Sequence, residues 1–262
     1  MPRANRYFLP GYTWHITHRC HKQEFLFKFS KDRKRWIDWL FQAKSRFNLK
    51  VLNYMVTSNH IHLLVTDAPN AKRDVIPNSI KLIAGRTAQE YNIRKKRKGA
   101  FWEDRYHATA IENDNHLFRC LFYIDVNMVR TGVVENPFDW KYCGLHEIIN
   151  PKKRYGIIDH EKLMSLLNFS DFNRFKEKYL FELKEYIKSS DKKRELKWSK
   201  NIAVGTKDFL EETKKRLNVK ALKRNIHSNN DTFELRETQE MYGNVELIDS
   251  ENKILWNINA DS

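Results

Sequence analysis

Residues 57–65 read TSNHIHLLV, a stretch in which two histidines interrupt a run of apolar residues. Side chains two residues apart in a strand project from the same face, so His60 and His62 lie side by side while Ile61 and Leu63 face a core. Two imidazoles placed in this way can bind one metal ion. A short HxH pattern also arises by chance, so a partly exposed pair of histidines without a ligand is the alternative.

The hydrophobic pattern on either side of this stretch predicts an α+β core, with an antiparallel sheet and helices packed on it. Strands are expected at residues 12–19, 49–58, 60–67 and 101–111, and helices at 31–47, 80–94 and 115 to about 132. The core is expected to end near Asn150. A charged, mainly helical C-terminal extension of unknown role follows over 151–262, with helices at 171–188 and 206–217 and loosely packed last forty residues.

The composition favours a polyanionic partner. The 262 residues carry a formal net charge of +15, and 13% of them are aromatic. Basic groups interleaved with rings suit nucleic acid, single strands in particular, although a basic protein without such a partner is the alternative. The three cysteines form no CxxC pair, so neither a disulfide framework nor a cysteine zinc site is indicated. Without a leader-like or membrane-spanning apolar run, we expect a cytoplasmic, nucleoid-associated protein with no membrane partner.

A second group of polar side chains lies on the helix predicted after residue 115. Its members recur at spacings of three and four and therefore share one side of the helix; they are His116, Arg119, Tyr123, Asn127 and Arg130. Tyr123 and Asn127 are four apart, so the phenol and the amide project together. A side-chain amide oxygen can join two histidines around a divalent ion. The alternative for Tyr123 is a tyrosine at the core boundary with its hydroxyl in water.

Four segments together resemble the single-tyrosine transposases of the HUH endonuclease superfamily, in particular the REP-associated tyrosine transposases. They are LPG at 9–11 followed by His15 and Arg19, SNHIHLLV at 58–65, FWEDRYHATAI at 101–111 and YIDVNMVRTGVV at 123–134. The resemblance covers most of the first 150 residues and implies that they are a catalytic domain with a ferredoxin- or RRM-like sheet. Met128 departs from the proline that often follows the asparagine, and DRYH at 104–107 departs from the usual Gly-Arg-Tyr-Lys.

The resemblance implies roles for four residues. His60 and His62 would bind a divalent metal, Mg²⁺ or Mn²⁺, with Asn127 as the third ligand, and Tyr123 would be the nucleophile. The implied activity is that of a metal-dependent endonuclease and strand-transferase that forms a 5′-phosphotyrosine. Its expected partner is single-stranded or hairpin DNA from repetitive palindromic elements, bound by a monomer or homodimer.

Basic and aromatic residues outside this group are candidate DNA contacts. Those expected to contact phosphates are Arg105, Arg119, Arg130 and the run Arg94, Lys95, Lys96, Arg97 and Lys98, and Trp102 is expected to stack on a base. A solvated helix end is the alternative for the basic run, and a core position is the alternative for Trp102.

Two other functions are compatible with the sequence. One is a catalytically idle, hairpin-binding or regulatory protein derived from such a transposase. The other is a metal-dependent RNA phosphodiesterase in which the histidines act as acid and base. The presence of His60, His62, Tyr123 and Asn127 together favours the transposase.

Overall fold

The computed structural model describes residues 8–70, 74–189, 194–221, 224–229 and 232–237. The strands in these ranges are β1 (Thr13–Arg19), β2 (Lys50–Val56), β3 (His60–Thr66), β4 (His107–Ile111), β5 (Ala203–Gly205), β6 (Arg224–Asn229) and β7 (Thr232–Glu237). The α-helices are α1 (Ser30–Phe47), α2 (Val75–Arg94), α3 (Asn115–Asp125), α4 (Asn127–Arg130), α5 (Leu145–Ile149), α6 (His160–Leu166), α7 (Phe172–Ser189), α8 (Lys197–Lys200) and α9 (Lys207–Leu217). Within the described ranges, none of these helices has the length and apolar character that crossing a bilayer requires.

The seven strands form one mostly antiparallel sheet in the order β2-β3-β1-β4-β5-β7-β6. The pairing of β4 with β5 is the parallel one. Helices cover both faces of the sheet: Trp36 of α1 contacts the ring of Tyr54 on one face, and Asp125 of α3 bonds Asn53 on the other. The α+β class predicted from the sequence is confirmed.

The register of β1 against β3 determines which side chains share a face. Thr17 lies opposite His62, and Arg19 lies opposite His60. Because side chains alternate along a strand, His15 projects from the same face as Thr17. The face that carries the two predicted metal ligands therefore also carries a third histidine from the neighbouring strand.

The expected strand over 101–111 is wrong in its first half, because β4 begins only at His107. Phe101 is buried, whereas the charged residues at 103–105 are exposed and leave the sheet. Contact with β1 is kept by irregular bonds, such as that from the Glu103 amide to the Arg19 carbonyl. The helix expected at 80–94 begins earlier, at Val75, since Pro77 is tolerated in a first helical turn.

The region beyond residue 150 contains helices, as predicted, and also contributes three strands to the sheet. The strand β5 is only three residues long, too short for an alternating pattern to predict it. Most of the last forty residues, for which loose packing was expected, lie outside the described residues. A division of the chain at residue 150 stays a prediction.

A buried hydrogen-bond network joins this extension to the core. Asp125 accepts from the Asn53 amide at 2.8 Å and from the Tyr179 hydroxyl at 2.5 Å, and its side chain is only 1% exposed. Burial raises the pKa of Asp125 to about 7, and the two hydrogen bonds oppose that rise. The network therefore links β2, α3 and α7 through one carboxyl group.

We predict that Tyr179→Phe destabilises the protein by about 1–3 kcal/mol, because one Asp125 oxygen loses its partner while it stays buried. Urea denaturation followed by circular dichroism measures the change. Tyr155→Phe is the matched control, since that side chain is 79% exposed; it should change the free energy of unfolding by less than about 0.5 kcal/mol. Equal stabilities of Tyr179→Phe and wild type would contradict the prediction.

Candidate functional site

The structure brings together the four residues for which the sequence predicts a common site. The Nε2 atoms of His60 and His62 are 3.1 Å apart, and the amide nitrogen of Asn127 is 3.0 Å from His62 Nε2. The ring of Tyr123 meets the ring of His62 edge-on, with centroids 5.7 Å apart. All four residues belong to one chain, so β3 and the α3–α4 segment of the same molecule form the site.

The helix α3 holds Tyr123 and Asn127 in place because it is buried on more than its sheet-facing side. Phe122, which points away from the site, packs against Tyr179 of α7 with ring centroids 5.1 Å apart. Val126 continues the helical path, so that Asn127 lies one turn beyond Tyr123. The C-terminal extension thus packs on the outer side of α3 and holds this helix against the sheet.

Both histidines of β3 are neutral. Burial lowers the pKa of His60 to about 3, and nearby Arg19, Arg194 and Arg130 act in the same direction. Burial also lowers the pKa of His62 well below its ordinary value, with His60 and His15 adding to the effect. Neutral imidazole is the form that binds metal ions.

The donor atoms at this point fit a divalent cation. Two nitrogens lie 3.1 Å apart, and adjacent ligands around an octahedral ion with bonds of about 2.1 Å are separated by roughly 3 Å. The Oδ1 atom of Asn127 is buried and has no hydrogen-bond partner. Within the described part of the chain, no group of three His, Cys, Asp or Glu side chains is arranged to bind a metal ion. The ligand set that fits is therefore His60, His62 and Asn127, the last with its amide turned so that Oδ1 replaces the nitrogen beside His62.

Tyr123 is almost completely buried, with 2% of its surface exposed. Burial raises its pKa, which opposes formation of the phenolate. Arg130 and Arg194 lower the pKa, the latter through a hydrogen bond to the phenol, and the Arg130 guanidinium carbon lies 5.6 Å from the ring centroid. The guanidinium groups of Arg130 and Arg194 therefore lie near enough to Tyr123 to stabilise its deprotonated form.

A cavity of about 410 Å³ opens next to these residues. Two carboxylates, Glu103 and Asp104, line it together with five cations, which are Arg19, Arg105, Arg130, Arg194 and Lys200, so the lining is positive on balance. The Nε atom of Arg130 is buried there without a hydrogen-bond partner. The positive lining suits a phosphate group.

Arg105 and Arg130 border this cavity together with Tyr123, while the other predicted DNA contacts do not, and a role in DNA binding stays a prediction for all of them. Arg119 is exposed elsewhere on α3. Arg94 pairs with the buried carboxylate of Asp32, and Arg97 pairs with Glu24 at 3.4 Å. Lys95, Lys96 and Lys98 are exposed at the end of α2. The basic run is therefore a separate surface in which two arginines hold the fold together.

The stacking role expected for Trp102 is not supported by its surroundings. Its ring stacks on His18 with centroids 3.9 Å apart, and its indole nitrogen donates to the Ala84 carbonyl at 3.0 Å. The residue is half-buried. Its packing corresponds to the alternative, an aromatic residue of the core boundary.

Four contributors to the site were missed as candidates by sequence reasoning. Arg19 borders the cavity from the end of β1. Arg194 and Lys200 come from the extension, where no motif distinguishes them from other basic residues. His15 lies against His62, and burial lowers its pKa to about 4. The sequence feature that could have indicated His15 is the alternation of β1, in which a histidine stands between the apolar residues Trp14 and Ile16.

The chain is similar to known proteins over part of its length. Residues 9–127 match the family model described as "Transposase IS200 like". No curated protein matches the chain significantly.

Among solved structures, one is described as a REP-associated tyrosine transposase bound to a REP hairpin; it is 19% identical, with a TM-score of 0.47, over 58% of this chain and 87% of that chain. Another, described as a candidate transposase from Deinococcus radiodurans R1, is 16% identical, with a TM-score of 0.32, over 40% of this chain and 83% of that chain. Over residues 9–127 the chain is thus similar to the IS200-like transposases.

Proposed function

We propose that the protein is a metal-dependent endonuclease and strand-transferase that cuts and rejoins single-stranded, hairpin-bearing DNA. The observation that carries the proposal is the convergence of Tyr123, His60, His62 and Asn127 beside one cation-lined cavity. The match of residues 9–127 to the IS200-like transposase family model supports it. Repetitive palindromic elements as the target, and a place of action at the nucleoid, follow from the sequence resemblance.

His60, His62 and Asn127 would hold the divalent cation. Two imidazole nitrogens in the ligand set favour Mn²⁺ over Mg²⁺, which prefers oxygen ligands. When bound, the ion would neutralise charge on the scissile phosphate and orient it.

Tyr123 would act on that phosphate as the nucleophile. The phenol gives up its proton to water and its oxygen forms a bond to phosphorus, while the bond from phosphorus to the 3′-oxygen breaks and the leaving oxygen takes up a proton from water. The products are a 5′-phosphotyrosine and a free 3′-OH. A 3′-OH of a second strand can then displace Tyr123, which restores a phosphodiester without ATP because one bond replaces another.

The arginines of the cavity would stabilise the phenolate and hold the DNA backbone. Arg130 and Arg194 lie nearest the phenol, and Arg19 and Arg105 border the same space. Fixed cations in a site with little water stabilise developing negative charge more strongly than water does.

Burial of Tyr123 is the observation that favours the alternative function, a DNA-binding protein without catalysis. A nucleophile that is 2% exposed must gain access to phosphorus when DNA binds. The RNA phosphodiesterase is disfavoured, because a histidine with a pKa of about 3 is a poor acid or base at neutral pH.

We predict that Tyr123→Phe abolishes a covalent protein–DNA adduct while DNA affinity changes by less than about threefold, since one hydroxyl contributes little to backbone binding. The substrate is single-stranded DNA from the regions flanking the gene, incubated with Mn²⁺, and denaturing gels detect the adduct. Tyr106→Phe is the control and should keep the adduct. An adduct that persists in Tyr123→Phe would remove this residue from the role. Absence of any adduct from wild type across these substrates would favour the DNA-binding function.

We predict that His60→Ala and Asn127→Ala each weaken Mn²⁺ binding by at least about tenfold, because each removes one ligand. Isothermal titration calorimetry with the metal alone measures the affinity. His227→Ala serves as the control, since that histidine is exposed on β6. Unchanged affinity in both site variants would contradict the proposed ligand set.

We predict that Arg105→Ala weakens binding of single-stranded DNA and lowers the slope of log K against log salt by about 0.7, the value of one phosphate contact. Fluorescence anisotropy between about 50 and 200 mM salt gives the slope. Arg119→Ala removes an arginine that does not border the cavity and should leave the slope unchanged. Equal slopes for Arg105→Ala and wild type would argue against DNA passing through this cavity.

A further inference from the structure

We propose that His15 is a positioning residue that fixes the tautomer and ring orientation of His62, and that the main-chain carbonyl of Trp198 fixes His15 in turn. The inference rests on the proposed metal site and adds a residue from β1 and a segment of the C-terminal extension to it.

His15 lies at the centre of the sheet and is completely buried. Its ring is parallel to that of His62, with an interplanar angle of 5° and centroids 5.1 Å apart. Its Nε2 atom is 2.9 Å from His62 Nδ1, and its Nδ1 atom is 2.7 Å from the Trp198 carbonyl oxygen. Both ring nitrogens of His15 are therefore engaged, one on each side.

The direction of each hydrogen bond follows from the carbonyl, which can only accept. His15 Nδ1 must carry the proton that it donates to Trp198. A neutral imidazole has one N–H, so His15 Nε2 is an acceptor and His62 Nδ1 must donate to it. This leaves the lone pair of His62 Nε2 directed toward His60 and Asn127, as a metal ligand requires.

His60 reaches the same state by local contacts. Its Nδ1 atom is 2.7 Å from the Asn59 side-chain oxygen, which can only accept a hydrogen bond, so Nδ1 carries the proton and the lone pair of His60 also lies on Nε2. Two unprotonated nitrogens then face each other at 3.1 Å, an arrangement that a cation between them would stabilise. The two ligands differ in that His60 is oriented by its neighbour in sequence and His62 by a contact across the sheet.

The hydrogen bonds from Trp198 through His15 to His62 connect the C-terminal extension to the proposed metal ligands, and the ring of Trp198 connects it to Tyr123. Trp198 is completely buried, and its ring centroid lies 6.3 Å from that of Tyr123. It belongs to α8, which packs on β1 and β4. The segment around α8 lies beyond the residues that match the family model, yet it determines the tautomer of a ligand within them.

The first test is the tautomer of His62 in the metal-free protein, read from long-range ¹⁵N–¹H NMR correlations. We expect the proton on Nδ1 in wild type and a mixture of tautomers in His15→Phe, which keeps a ring but offers no acceptor. A proton on Nε2 of His62 in wild type would overturn the inference. Neither spectrum needs a bound metal, so the test stands even if Mn²⁺ fails to bind, which would count against the proposed function alone.

The second test is Mn²⁺ affinity by calorimetry. We expect His15→Phe to bind about 10–100-fold more weakly than wild type, and His15→Gln, whose amide can accept and donate, to recover most of the loss. His160→Phe is the matched control: His160 also bonds a main-chain carbonyl, that of Glu147 at 2.8 Å, but it lies on α6 and does not border the cavity. Unchanged affinity in His15→Phe, or an equal loss in His160→Phe, would overturn the inference.

Discussion

The antiparallel pairing of β1 with β3 is the constraint on which the site depends. It places Thr17 opposite His62 and thereby puts His15 on the face that holds both proposed metal ligands. The same alternation directs Ile61 and Leu63 to the opposite, apolar face, where both are buried. A slip of one residue would exchange the two faces, so a single register defines the hydrophobic core and the ligand layer together.

A buried polar layer of this kind is costly unless its members are paired. Most of its groups have partners: His15 has the Trp198 carbonyl, His60 has Asn59, and Asp125 has Asn53 and Tyr179. The Oδ1 atom of Asn127 and the Nε atom of Arg130 are buried without one. Both residues border the cavity, so polar groups are left unpaired at the place where a ligand would pair them.

Local patterns account for the part of the fold and site that could be predicted. The two-residue period of HIHLLV and the four-residue spacing of Tyr123 and Asn127 each fix a face of one element, which neighbours in sequence suffice to define. That the two faces meet was implied by the resemblance of the whole set of motifs. By contrast, β5 is too short to show an alternating pattern. The charged residues at 103–105 are exposed and lie outside the sheet, although the sequence predicted them within a strand.

The contributions of the extension could not be read from the sequence, because they rest on contacts between distant residues. Arg194 and Lys200 resemble the many other basic residues until the fold places them beside Tyr123. The contact of His15 with the extension could not be predicted either, because its partner is a main-chain carbonyl that any residue at position 198 would supply. Packing, rather than residue type, selects these groups.

The bond between His15 and Trp198 spans 183 positions of the chain. At a synthesis rate of about 5–20 residues per second, Trp198 leaves the ribosome roughly 10–40 s after His15. Throughout that interval the strands of the matched region can pair, but His62 lacks the contact that orients it. The order of synthesis thus delays assembly of the proposed metal site until most of the polypeptide exists, and a truncated product ending before α8 would carry every motif residue without a finished site.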